Sequence, residues 1–215
     1  MGDLDHLTLL EAEVQAMTQA FAAADPETPV PACSGWTVRD VARHLTTVHR
    51  WAHAALDSQT TPAFVERPAE GDGPALAAAS AESGGAMVGR LRELPSDHPC
   101  WTFDPGNHTA SFWRRRQLHE ISVHRFDVAP YTLSVEVAAD GIDEALYFFL
   151  PRMVDAGRAT PPAGSLELVS PERTWTVGSG EPVATVNGSA SDLLLSVWGR
   201  TDLLPPGWRD AKLMP

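Results

Sequence analysis

Trp113-Arg-Arg-Arg-Gln-Leu-His-Glu120-Ile-Ser-Val-His124-Arg-Phe-Asp127 is the stretch of sequence that decides how this chain folds and functions. The stretch is typical of an α-helix, on which Glu120 and His124 stand one above the other, about 5–6 Å apart at Cβ. Such a pair suits two ligands of one divalent metal ion. His44 lies far upstream in a second helical stretch and is a third candidate. Three ligands from two helices leave one coordination position open, as in a catalytic zinc site.

The identity of the metal follows from the two imidazoles and one carboxylate that would bind it. Zinc is the default ion for such a set, although iron, nickel and manganese also bind imidazole and carboxylate ligands. The spacing alone leaves a second interpretation open, because Glu120 and His124 could form a simple pair within their helix. The sequence therefore predicts a metal centre only if His44 meets the other two residues.

Other histidines compete with this set. His49 and His53 also lie four residues apart, on a different face of the helix from His44, and we expect both to be solvated. His119 points about 100° away from Glu120 around the helix, so we expect it to stay outside the site. We find no phosphate-binding loop, nucleophile elbow or Cys-x-x-Cys pair, which leaves the metal as the visible source of chemistry.

Composition excludes several classes of function. The 215 residues are 43% hydrophobic and 20% charged, which is ordinary for a globular protein that buries a core. The formal net charge is −12, and Arg114-Arg-Arg116 is the one dense basic cluster. A nucleic-acid surface needs more clustered basic residues, so we expect no nucleic-acid partner. The three arginines are interpreted as a solvated helix face or one anion pocket.

The expected location is the cytoplasm. No run of about 18 apolar residues is present, so we expect no membrane span. The N-terminus is acidic and lacks the pattern of a signal peptide. Cys33 and Cys100 are too few for a disulfide framework and fit a reducing compartment, and we expect both to be small buried residues.

The organisation of the chain changes near residues 130–140. Apolar spacing of three and four residues predicts four helices before that point, which together make a bundle. After it we expect a helix that begins at Asp140, three short strands rich in β-branched residues, and a last helix that ends at Trp198. The first four helices are predicted at 4–24, 37–57, 74–94 and about 107–128, and the strands near 166–170, 174–177 and 183–186.

The motifs Trp36-Thr-Val-Arg-Asp-Val-Ala-Arg-His44-Leu and Glu120-Ile-Ser-Val-His124-Arg-Phe-Asp127 resemble those of the mycothiol-dependent maleylpyruvate isomerase family. The resemblance continues in Val186-Asn-Gly-Ser-Ala-Ser-Asp-Leu-Leu-Leu-Ser-Val-Trp-Gly-Arg200 and spans nearly the whole chain. It implies an α+β fold: a DinB-like metal-binding four-helix bundle at 1–132, followed at 138–215 by a small α+β domain similar to sterol carrier protein 2.

The same resemblance implies a function. The metal would be bound by His44, Glu120 and His124, and the thiol cofactor mycothiol would take the open position. Arg200 would support catalysis by pairing with an anionic, electrophilic small-molecule substrate. An isomerase would release the thiol again, whereas an S-transferase would stop at the adduct. Two further possibilities are a metal-dependent enzyme without a thiol cofactor, such as a hydrolase, and a non-catalytic protein that binds a small ligand.

Overall fold

The computed structural model describes residues 4–66, 70–211 and 213–214, which divide into two compact units between Pro130 and Tyr131. The described part of the first unit is helical and the second contains a small sheet, so the predicted α+β class is confirmed. Among the described residues, no helix has both the length and the apolar character that crossing a membrane requires. The long helices described in the first unit are α1 (His6–Ala23), α2 (Val38–Leu56), α3 (Gly73–Glu93) and α4 (Ala110–Val128).

Side chains at the helix starts explain where these helices begin. Asp5 and Asp72 each accept a hydrogen bond from a backbone N–H in the first turn of α1 and α3, at 3.1 Å in both cases. At the start of α2, the Asp40 carboxylate accepts from the backbone N–H of Thr37 at 2.9 Å. These contacts satisfy backbone donors that have no partner inside the helix. Pro74 stands in the first turn of α3, as predicted.

The core of the bundle follows the predicted apolar spacing. α1 packs against α3 and α4, and α2 also packs against α3 and α4. Along α1, the spacing of three and four predicts a buried face of Leu7, Leu10, Val14, Met17 and Phe21, and all of these are buried except Leu7, which is half-buried.

Helices α2 and α3 run in the same direction. Arg39, near the start of α2, donates to the carbonyl of Gly71 just before α3 at 3.0 Å. At the other end, Asp57 follows α2 directly and pairs with Arg90 near the end of α3. In this parallel arrangement, residues at equal distances from the starts of α2 and α3 lie beside each other.

Gly84 lets helices approach closely in the middle of the bundle. A Cβ atom at this position would lie 2.8 Å from Cγ1 of Val14 on α1 and 3.4 Å from Nδ1 of His49 on α2. A Cβ atom added at the neighbouring Gly85 would meet no atom within 4 Å, so packing requires glycine at position 84 but not at position 85. The lower helix propensity of glycine is offset here by contact between three helices.

Helix α4 is buried on most of its circumference. Trp113, Leu118 and Ile121 are fully buried, and so are several polar side chains on the same helix. The buried polar set comprises Arg116, Gln117, His119, Ser122 and His124. Buried polar groups need specific partners, so the contacts of these side chains on α4 require an explanation.

The described part of the second unit combines helices with a three-stranded sheet in the order β2-β1-β3. β1 pairs antiparallel with β2 and parallel with β3. The helix predicted to begin at Asp140 begins earlier, because Ser134 caps it by accepting from Val137 N. A π-helical turn at Ala145–Phe149 joins α5 to α6. The elements are α5 (Val135–Glu144), α6 (Leu150–Asp155), β1 (Gly164–Val169), β2 (Thr174–Ser179), β3 (Pro182–Asn187), α7 (Ala190–Val197) and α8 (Pro206–Asp210).

Candidate metal centre

The three predicted ligands meet inside the first unit. His44 on α2 faces Glu120 and His124 on α4, and one ligand atom from each lies within 4.8 Å of the others. His44 Nε2 is 2.6 Å from Glu120 Oε1, and His124 Nε2 is 3.7 Å from the same oxygen. The two imidazole ring centres are 4.9 Å apart. Two helices that are distant in sequence thus bring two nitrogens and one carboxylate oxygen together.

The geometry of this group fits a small divalent ion. Zinc bonds of about 2.0–2.2 Å in a tetrahedral site separate the ligand atoms by about 3.3 Å. The separation of 3.7 Å between His124 and Glu120 is close to that value. The 2.6 Å contact of His44 with Glu120 is a hydrogen bond in this structure and would open by roughly 0.7 Å around an ion. The donor set matches the nitrogen and oxygen ligands that zinc prefers.

Asp127 fixes the orientation of the His124 ring. Its Oδ2 lies 2.9 Å from His124 Nδ1, and the Asp127 side chain is almost completely buried. Because a carboxylate only accepts, Nδ1 carries the proton in this pair. A carboxylate behind a metal-binding histidine typically selects the tautomer and raises the basicity of the ligand nitrogen. The ring therefore presents Nε2 toward Glu120 and His44.

Arg116 holds the other oxygen of Glu120. Its Nη2 lies 2.6 Å from Oε2, and the arginine side chain is only 4% exposed. Burial alone would raise the pKa of Glu120, but the Arg116 guanidinium, the hydrogen bond with His44 and the charge of His124 hold that pKa well below its usual range. Glu120 is therefore an anion with one oxygen turned to Arg116 and one to the histidines.

The arginine cluster is thus different from the solvated face or anion pocket that we expected. Arg116 is buried against Glu120, and Arg114 donates to the backbone carbonyls of Leu91 and Leu94 at 2.9 and 2.7 Å. These contacts tie the start of α4 to the end of α3. The contact between Arg116 and Glu120 was predictable from their spacing of four residues, because opposite charges at i and i+4 on a helix face each other.

Trp36 forms an aromatic wall beside the two histidines. Its ring is 6.1 Å from the His124 ring at an interplanar angle of 15°, and 5.3 Å from the His44 ring at 52°. The indole precedes the threonine at which α2 begins, so the loop before α2 delivers it to the site. A wall of this kind limits the directions in which either imidazole can turn.

The loop before α2 also brings a thiol to the edge of the site. Cys33 Sγ lies 3.9 Å from Asp127 Oδ2, and these two residues form a second possible ligand group with His124. The Nδ1 atom of His124 is already paired with Asp127, which favours the group around His44 and Glu120 as the metal centre. Cys33 is half-buried, whereas Cys100 is buried as expected, and burial raises the pKa of the Cys100 thiol to about 11.

His49 is fully buried, and our expectation that it is solvated was wrong. Its Nδ1 is 3.5 Å from Ser83 Oγ, and its Nε2 has no hydrogen-bond partner within the described part of the chain. Burial lowers the pKa of His49 to about 4, against a smaller opposing effect of Glu120. The parallel run of α2 and α3 places this histidine at the level of Ser83, where Gly84 leaves room for the ring. His53, its predicted companion, is half-buried.

Arg200 follows the end of α7 in the second unit. Its backbone N–H donates to Leu195 O at 2.7 Å, and the N–H of Gly199 donates to Ser196 O at 3.0 Å. With Gly199 at φ +72°, these contacts form a Schellman motif, in which glycine adopts the left-handed conformation that ends a helix. The side chain donates to Trp198 O at 2.7 Å. The turn fixes the direction of the chain at Arg200, as the Trp-Gly-Arg sequence predicts.

Comparisons with known proteins agree with the motifs. Residues 7–129 match the family model described as the mycothiol maleylpyruvate isomerase N-terminal domain, and residues 136–212 match the model of the C-terminal domain. Among solved structures, a crystal structure of the mycothiol-dependent maleylpyruvate isomerase is similar with a TM-score of 0.67 at 15% identity, over 92% of this chain and 89% of that one.

A point mutant of the mycothiol-dependent maleylpyruvate isomerase gives the same values. At 15% identity these two likenesses establish the fold. Among curated proteins, no significant relative of the chain was found. The two domain models together span most of the sequence, and the chain therefore belongs to the mycothiol maleylpyruvate isomerase family.

Proposed function

We propose that this protein is a metal-dependent enzyme that activates the thiol of mycothiol for attack on a small electrophile, by cis-trans isomerisation of a maleylpyruvate-type substrate or by S-transfer. The observation that carries the proposal is the convergence of His44, Glu120 and His124 within 4.8 Å, in a chain of this family. The arrangement of Asp127 behind His124 supports it further.

A divalent ion held by His44, Glu120 and His124 would supply one effect, which is to favour the thiolate over the thiol in a cofactor whose pKa is about 8.5 when free. The contacts between the protein side chains are consistent with such a site. Asp127 keeps the proton of His124 on Nδ1, and Arg116 keeps the charge of Glu120. Trp36 restricts both imidazole rings.

The isomerisation itself needs no redox partner. Bound mycothiol would supply a thiolate that adds to one alkene carbon, with the electron pair of the double bond moving into the conjugated carbonyl. The bond between the two carbons would then be free to rotate, and elimination would restore the double bond and return the same thiolate. A transferase would instead protonate the carbanion and release the adduct. Arg200 would pair with the substrate carboxylate in either reaction, because guanidinium binds carboxylates through two parallel hydrogen bonds.

The test is a set of turnover assays with mycothiol and maleylpyruvate, before and after the protein is treated with a chelator. We expect conversion to the trans isomer that needs both metal and thiol, with mycothiol recovered unchanged. Consumption of one mycothiol per substrate would identify a transferase. Metal-dependent hydrolysis of an ester or amide without thiol would contradict the proposal in favour of a hydrolase. Binding of the substrate without conversion, by a protein that takes up no metal, would contradict it in favour of a ligand-binding protein.

A further inference from the structure

Arg116 and His44 approach the same carboxylate from opposite oxygens. Arg116 Nη2 is 2.6 Å from Oε2 of Glu120, and His44 Nε2 is 2.6 Å from Oε1. His124 Nε2 also lies nearer Oε1, at 3.7 Å. The carboxylate is therefore divided between a guanidinium on one side and the two imidazoles on the other. A metal ion bound by the two imidazoles would therefore lie near Oε1, whereas Oε2 is taken by Arg116.

The placement of Arg116 matches that of His44 on its own helix. A short β-bridge precedes both α2 and α4, joining Pro29 to Thr37 in one loop and Pro99 to Thr109 in the other. Each threonine is the N-cap of the helix that follows. His44 and Arg116 both stand seven residues further on (37 to 44 and 109 to 116). His44 thus reaches Glu120 from the neighbouring helix, whereas Arg116 reaches it from one turn earlier on the same helix.

The Arg116 side chain is also held firmly in place. It is only 4% exposed, so its charge is poorly screened by water and its position is set by packing. Removing one partner from a buried, hydrogen-bonded ion pair costs several kcal/mol, because the other charge is left uncompensated. Oε2 of Glu120 therefore stays with Arg116 when an ion enters the site.

We propose that Arg116 is a positioning residue of the metal centre, which makes Glu120 a ligand through one oxygen only and keeps the remaining coordination position open. The inference rests on the metal site of the proposed function. It assigns Arg116 a role beyond that of an ordinary helix ion pair. Without the guanidinium, both oxygens of Glu120 could bind the ion, and the position needed by a thiol would be filled by the protein itself.

The experiment uses the full chain with cobalt(II) in place of the native metal, since the intensity of its visible absorption falls as the coordination number rises. Wild type, Arg116→Met and Arg116→Lys are freed of metal with a chelator and titrated with cobalt(II). We expect weaker visible absorption per bound cobalt in Arg116→Met and an intensity near that of wild type in Arg116→Lys, which keeps a donor and a charge.

Arg114→Met is the matched control, because it removes an equal charge from the same helix at a side chain that donates to the carbonyls of Leu91 and Leu94 rather than to Glu120. We expect it to lower the midpoint of thermal unfolding and to leave the cobalt spectrum unchanged. A change of spectrum in this control equal to that of Arg116→Met would overturn the inference, since any buried arginine would then have the same effect.

An Arg116→Met spectrum identical to that of wild type would also overturn it. Loss of cobalt binding in a folded Arg116→Met protein would overturn it as well, because the inference expects both oxygens of Glu120 to bind the ion once the guanidinium is gone. If that variant does not fold, a crystal structure of metal-loaded wild type decides the question. Coordination by one Glu120 oxygen supports the inference and coordination by both contradicts it. A wild type that binds no metal would instead refute the proposed function.

Discussion

Replacement of His49 by glutamine tests whether this histidine is buried in its neutral form in the first unit. His49 is completely buried, and burial lowers its pKa from 6.5 to about 4. In the unfolded chain the imidazole regains its ordinary pKa. As the pH falls from 6.5 to 4, the unfolded state therefore takes up a proton that the folded state does not. This group makes the protein less stable with falling pH, and glutamine at the same position removes the effect.

The size of the effect follows from the two pKa values. A pKa difference of one unit corresponds to about 1.4 kcal/mol. For pKa values of 6.5 and about 4, linkage gives a loss of about 2 kcal/mol between pH 8 and pH 5, and of about 3 kcal/mol by pH 4. Because whole domains are stable by about 5–15 kcal/mol, a change of this size is readily measured.

The assay is urea unfolding of chelator-treated protein at several pH values between 4.5 and 8. The free energy of unfolding of wild type should fall by about 2 kcal/mol more than that of His49→Gln between pH 8 and pH 5. His108→Gln replaces an exposed histidine and is the control, for which we expect the slope of wild type. Parallel curves for wild type and His49→Gln would refute the argument that His49 is folded into the core in its neutral form.

Three further predictions concern the site. His44→Ala or His124→Ala should abolish stoichiometric zinc binding in equilibrium dialysis, because two remaining ligands rarely hold zinc, whereas His53→Ala should not; full metal content in both ligand variants would contradict the assignment. Asp127→Ala should weaken zinc affinity by about 10–100-fold, measured in competition with a chromophoric chelator. An unchanged affinity would mean that Asp127 only forms an ion pair near the end of α4. Arg200→Met should leave metal content and folding intact but lower kcat/KM for an anionic substrate about tenfold or more, or about 1.4 kcal/mol; equal turnover would remove Arg200 from catalysis.

The helices and the pairing of Glu120 with His124 were predictable because their signals are local. Periodic apolar residues place a face of α1 in the core, and the spacing of four places Glu120 beside His124 on one helix face. The meeting of His44 with this pair is a long-range contact. Its prediction depended on the resemblance of motifs as well as on spacing, since helical periodicity does not say which helices become neighbours.

The environment of the polar residues was harder to predict. His49 was expected in solvent, and Arg116 on a solvated helix face or in an anion pocket, whereas both side chains are buried. A histidine or an arginine on a helix is ordinarily solvated, and only the tertiary structure shows that Gly84 opens space beside His49 and that α4 is covered on most sides. Arg116 could have been found from its spacing to Glu120, whereas nothing local marks His49.

The helix boundary in the second unit was missed for a different reason. Asp140-Gly141 has the composition of a cap, and it suggested a helix start. The helix begins at Val135 instead, because Ser134 provides the cap and buried Val137 and Ile142 hold the segment in the core. Tertiary packing outweighs the unfavourable propensity of one glycine, which costs only about 1 kcal/mol.

We propose that His44, Glu120 and His124 hold a metal ion that accepts the sulfur of mycothiol. The most direct test is to titrate cobalt-loaded protein with mycothiol and record the near-ultraviolet absorption that arises when sulfur binds cobalt. We predict that this band appears and saturates at one thiol per bound cobalt in wild type, and is absent after His44→Ala. If wild type binds one cobalt per chain but shows no such band at saturating mycothiol, the proposed binding of sulfur to this metal is wrong.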